Sequence, residues 1–116
     1  MMRRGEIRVV NLGKVVGVEA ARIRPAVIVS NDGANTTAAR LGRGVVTVVP
    51  ITSNTERVYP FQVLLGASET GLNRDSKAQA EQVRSVAVER VGNLIGHMPL
   101  DLMGQLDDAL RLHLDI

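Results

Sequence analysis

Valine constrains what this chain can fold into more than any other residue. Seventeen valines and six isoleucines supply 23 of its 116 residues. Their branched Cβ atoms lose rotamer freedom in a helix and pack well on a pleated surface. Aromatic side chains are almost missing: there is one Tyr, one Phe and no Trp. The expected core is therefore aliphatic and carried mainly by strands. A chain of this length suits one domain over residues 1–116 and buries roughly two-thirds of the surface its unfolded form exposes. No metal or disulfide staple is needed at that size.

The strands are expected where branched residues run together or alternate. Glu6–Leu12 reads as the first, followed by a glycine-punctuated loop over Gly13–Arg22. Pro25 drives Arg24 toward an extended backbone, and Ala26-Val27-Ile28-Val29 reads as a buried strand. Asn31-Asp32-Gly33 reads as a turn, Asn35–Arg40 as a helical turn, and Leu41-Gly42-Arg43-Gly44 as another turn. Val45–Ile51 carries the strongest strand signal, and Phe61–Leu65, Lys77–Glu81 and Val83–Val88 complete the set.

The period then changes. Leu102, Met103, Leu106, Ala109, Leu110 and His113 recur at helical spacing, with Asp107, Asp108 and Arg111 on the other side. Pro99 suits the first helical position. An amphipathic helix of about 14 residues closing a small β-domain makes the expected class mainly β with α, an α+β or barrel-plus-helix design.

Composition excludes several chemistries. With no Cys there is no disulfide framework, thiolate nucleophile or cysteine zinc site. The two histidines, His97 and His113, have no partner at metal-ligand spacing, so no metal and no cofactor is expected. No apolar run approaches the ~18 residues of a membrane span. The start Met1-Met2-Arg3-Arg4-Gly5-Glu6 makes a poor signal peptide. A soluble, cytoplasmic domain is the expectation. Two aromatic residues cannot build the multi-ring platform of many single-strand RNA binders.

Charge is unevenly spread. Net charge is only +2, yet residues 1–43 sum to +5 and residues 44–116 to −3. Most cations of the first part are Arg, which grips phosphate bidentately. A basic N-terminal surface for an anionic partner is the working expectation. Two short segments then stand out. Arg22-Ile23-Arg24-Pro25 precedes a buried strand and sets a guanidinium on a rigid base. Ile51-Thr52-Ser53-Asn54 ends the strongest strand, where three short polar side chains suit a plain turn as well as an anion site. If the two strands are neighbours, Arg24 and Thr52 share one end of the sheet.

Five ordered segments carry a family resemblance. They are Gly5-Glu6-Ile7, Arg24-Pro25-Ala26-Val27-Ile28-Val29-Ser30 preceded by Gly17 and Glu19, Val49-Pro50-Ile51-Thr52-Ser53, Tyr59-Pro60-Phe61 and Ala80-Glu81-Gln82-Val83-Arg84-Ser85. In this order and spacing the chain resembles the MazF/PemK-type toxins, the endoribonuclease components of bacterial toxin–antitoxin pairs. The resemblance implies an SH3-like β-barrel with a C-terminal helix, assembled as a homodimer. It implies metal-independent, sequence-specific cleavage of single-stranded RNA by the substrate's own 2′-hydroxyl, and growth arrest as the outcome. By the same resemblance Arg24, Thr52 and Glu19 are catalytic, and Ser53, Asn54, Glu81, Gln82 and Arg84 contact substrate. The implied partner is a MazE-like antitoxin whose acidic segment fills the RNA groove.

The alternatives are a toxin of the same fold that poisons a protein target such as DNA gyrase, or a homologue without activity. Arg8, Asn11, Val18 and Ile23 depart from the family pattern around the first strand, where RNA choice and groove packing are at stake. The general base stays open between Glu19, the more natural one by pKa, and the Arg, whose guanidinium pKa above roughly 12 resists deprotonation.

Overall fold

The computed structural model describes residues 2–13 and 23–116. Among the described residues seven strands form one antiparallel sheet: β1 (Glu6–Asn11), β2 (Ile23–Ile28), β3 (Val45–Thr52), β4 (Gln62–Leu65), β5 (Ser76–Gln79), β6 (Arg84–Ala87) and β7 (Val91–His97). Their order is β4-β5-β3-β2-β1-β7, with β6 beside β3. The α-helices beside them are α1 (Asp32–Leu41), the four-residue α2 (Ala67–Thr70) and α3 (Leu100–Leu114). The expected α+β class with a C-terminal helix is the one observed.

β3 is the organising strand. Its first half, Val45–Val48, pairs with β6, and its end, Ile51 and Thr52, pairs with β5. Pro50, which lacks an N–H to donate, falls where β3 passes from one partner to the other. Along its far side β3 pairs with β2, Ala26 facing Pro50 and Ile28 facing Val48.

Alternation along these strands feeds two aliphatic layers, one on each face of the sheet. Val27, Val49 and Ile51 join Ile7, Leu65 and Ala78 beneath α3, which adds Leu102, Met103, Leu106 and Ala109. Ala26, Ile28, Val46 and Val48 join Val10, Val86 and Ala38 of α1 on the other face. The period-2 valine pattern is thus used twice. His113, expected on the apolar face of the last helix, is exposed instead, and Pro99 caps the helix rather than opening it.

The two edges of the sheet are drawn together by backbone contact. A Cβ on Gly96 of β7 would lie 1.8 Å from the Thr70 carbonyl oxygen, and Gly71 has φ +85°. The chain after β4 therefore abuts β7 closely enough that only glycine fits, rolling the sheet into a barrel-like form.

Several elements differ from the sequence expectation. Asn31-Asp32-Gly33 opens a ten-residue helix: the Asn31 side chain accepts from the Ala34 N–H at 2.8 Å and so caps α1. β5 stops at Gln79, and Ala80–Gln82 forms a 3-10 turn instead of continuing the strand. β7 and α2 were not expected. Gly92, Asn93 and Gly96 hide the strand character of β7, an edge strand that is largely exposed.

Candidate active site

The register of β2 and β3 decides where the two candidate segments meet. With Ala26 opposite Pro50, Arg24 lies two residues toward the strand end, level with Thr52. Its guanidinium Nη1 donates to the Ile51 carbonyl at 3.4 Å, which holds it across the end of β3. Arg24 Nε is buried without a hydrogen-bond partner among the described residues. A buried guanidinium N–H left unpaired is costly unless another acceptor arrives. Thr52 Oγ1 accepts from the Asn54 N–H at 3.3 Å, an arrangement that leaves the hydroxyl proton free to be donated.

Both residues line one cleft of about 500 Å³ with Val9, Pro25, Ser53 and Arg74. The juxtaposition of Arg24 and Thr52 anticipated from the sequence is present. Ser53 joins them. Asn54, Glu81, Gln82 and Arg84 are not among the lining residues. Arg84 Nη1 donates to the Leu12 carbonyl at 3.0 Å. Glu81 Oε2 accepts from Gln62 Nε2 at 2.7 Å, while its Oε1 is buried without a partner among the described residues. Glu19 lies outside the described residues, as do Val18 and most of the loop Gly13–Arg22.

Asn73 and Arg74 also line the cleft and were not singled out in the sequence. They sit in the short polar stretch before β5, where no motif marks them. Only their place beside Thr52, set by the pairing of Thr52 with Lys77, brings them to the site.

The N-terminal cations are dispersed. Arg4 pairs with Asp107 of α3 at 2.5 Å, and Arg8 pairs with Glu6 at 2.9 Å. Arg43 flanks the groove beside α1. Of the cations in the first part, Arg24 is the one among the described lining residues of the cleft, and Arg74 comes from the acidic part. Among the described residues, the cations of the first part do not converge on this cleft. Among the described residues no three His, Asp or Glu side chains gather as a metal site requires.

The family model for PemK-like, MazF-like toxins of type II toxin–antitoxin systems matches residues 3–114. The chain belongs to this family. Endoribonuclease MazF9 of Mycobacterium tuberculosis is 62% identical over 116 residues, a match spanning all of this chain and 98% of that protein. The MazF crystal structure from Deinococcus radiodurans superposes with a TM-score of 0.80 at 23% identity, covering 99% of this chain and 97% of that one. A mycobacterial endoribonuclease in complex with its cognate antitoxin gives 0.78 at 23%, covering 100% and 97%. Those two likenesses bear on the fold, which is MazF-like from end to end.

Two departures from the MazF pattern have visible roles. Arg8 is drawn into the sheet, its Nη1 donating to the Gly92 carbonyl of β7 at 3.1 Å. Asn11 Oδ1 accepts from the Gly13 N–H at 3.0 Å and shapes the exit of β1.

Proposed function

We propose that this MazF-like toxin is a sequence-specific endoribonuclease that cleaves single-stranded RNA without a metal. Membership of the toxin family and 62% identity to a full-length endoribonuclease support the activity. The single observation that carries the chemistry is the meeting of Arg24 and Thr52 at one cleft on adjacent strand ends.

The substrate's 2′-hydroxyl attacks the neighbouring phosphorus, and the bond to the 5′ oxygen of the next nucleotide breaks. The products carry a 2′,3′-cyclic phosphate and a 5′-hydroxyl. Arg24 donates to the non-bridging oxygens as negative charge gathers on the phosphorane, a preorganised donor that needs little reorganisation. The Thr52 hydroxyl donates a second hydrogen bond. Glu19 takes the 2′-hydroxyl proton, because a carboxylate accepts one far more readily than a guanidinium, and a solvent water gives the departing 5′ oxygen the proton that completes the 5′-hydroxyl. Ser53 and Asn54 at the cleft end, and Glu81, Gln82 and Arg84 beyond β5, hold the flanking nucleotides. The toxin works as a homodimer in the cytoplasm and is silenced by an antitoxin whose acidic segment occupies the same groove.

The test is incubation of the purified protein with a mixed-sequence RNA pool in excess chelator, followed by sequencing of the new 5′ ends. Cleavage at one short motif is expected, falling about a hundred- to a thousandfold in Arg24→Ala. Intact RNA, or equal cleavage by Arg24→Ala, would refute it. Gyrase inhibition that survives Arg24→Ala would point to a protein target instead.

A further inference from the structure

The chain's two aromatic residues are not scattered. The Tyr59 and Phe61 rings lie parallel, 5.3 Å between centroids and 2° between planes. The Arg57 guanidinium sits 5.7 Å from the Tyr59 centroid, and its Nη1 donates to the Tyr59 hydroxyl at 3.1 Å. This group stands in the open: Arg57 is exposed, Tyr59 is 41% exposed and Phe61 is half-buried. A stacked pair whose purpose was core packing would be covered.

The segment that carries it is firmly placed. β3 and β4 both run antiparallel to β5 and flank it, so residues 53–61 must leave Thr52, cross β5 and return at Gln62. Lys77 of β5, the register partner of Thr52, is buried beneath this crossing and donates from Nζ to the Arg57 carbonyl at 2.5 Å. The far end is held by Gln62, whose Oε1 accepts from the Tyr59 N–H at 3.1 Å while its Nε2 donates to Glu81. Contacts thus tie the Arg57 end of the group to Lys77, the partner of Thr52, and its Tyr59 end to Gln62, the partner of Glu81.

We propose that Arg57, Tyr59 and Phe61 form a stacking station for one base of the single-stranded RNA that passes the cleft. The inference rests on the ribonuclease function proposed above and adds a residue set that holds one nucleotide flanking the cut. An aromatic face stacks on any base, an adjacent Arg adds a cation to the π-system and a charge for the next phosphate, and a fixed ring loses little entropy on binding. One station of two rings replaces the extended platform that the composition forbids.

The molecule carries its own probe. With one Tyr and no Trp, its intrinsic emission comes from Tyr59 alone. The RNA that the wild-type protein cleaves fastest is made with 2′-deoxyribose at the cut, so that it binds without reacting, and titrated while Tyr59 emission and RNA anisotropy are followed. Emission is expected to be quenched in step with binding, and an abasic residue at one position of the RNA should abolish the quenching. Tyr59→Leu should raise KM about five- to hundredfold with kcat nearly unchanged, and Tyr59→Phe should restore KM. Binding with unchanged Tyr59 emission overturns the station and leaves the ribonuclease standing. Quenching by an acidic peptide but not by bound RNA also overturns it, assigning the rings to a protein partner. If no RNA is cut or bound, both proposals fall together.

Discussion

Glu6 shows how a single residue is read differently from sequence and from structure. In the sequence it is one of a few acids in a basic segment; in the fold it is nearly covered, at 6% exposure. Burial pushes its carboxyl upward, but the Arg3 N–H and the Arg8 guanidinium outweigh that, and the group is held below its ordinary value of 4.5. A carboxylate whose folded pKa is lowered stabilises the fold above its unfolded pKa. That contribution is lost as pH falls from about 4.5 through the lower folded value. Glu6→Gln is expected to cost about 1–2 kcal/mol at neutral pH, with the difference from wild type shrinking in acid. Urea melts at stepped pH values measure this. Arg24 and Thr52 were legible because short polar or charged groups stood at the ends of valine-rich runs. Arg74 and Lys77 were not, because their importance comes from pairing partners more than twenty residues away.

At the scale of elements, the alternating valines marked β1, β2, β3 and β6, and the 3.6 period marked α3. What escaped was governed by contacts rather than by local pattern. β7 is broken up by glycines, yet Gly96 is required because the Thr70 carbonyl occupies the space a methyl would take. Gly96→Ala is therefore expected to destabilise by at least about 3 kcal/mol or to prevent folding, since backbone rather than a flexible side chain must move. Gly104, at an exposed position of α3, meets nothing within 4 Å, so Gly104→Ala should be neutral to stabilising by up to ~1 kcal/mol. Thermal melts of the pair make the comparison. Asn31 illustrates the other kind of miss: Asn-Asp-Gly suits a turn or a helix cap, and the ten residues after it decide.

For the whole molecule, the two aliphatic layers share β2 and β3, so neither can be lost without exposing the other. Leu106, fully buried on the inner side of α3, and Ile28, fully buried on the opposite face of the sheet, test this. Leu106→Ala is expected to cost about 2–5 kcal/mol and Ile28→Val about 0.5–1.5 kcal/mol. Both should shift one urea transition, with far-ultraviolet circular dichroism and Tyr59 emission changing together. Two separated transitions would mean that the layers fold independently. The barrel-plus-helix plan was legible because patterning is local, whereas the assembly of charge was not. The chain's +5 and −3 parts are brought side by side by the sheet order, and the ion pair of Arg4 with Asp107 joins the two.

Arg24 and Thr52 stand toward the ends of strands anchored in the core by Val27, Ile28, Val48 and Val49, while the next nine residues, 53–61, run across the surface before the chain re-enters the sheet. Insertions and deletions in such a crossing leave the spacing of Arg24 and Thr52 untouched. A lineage built on this frame can thus remodel what that crossing presents to its surroundings while the Arg24–Thr52 pair keeps its geometry.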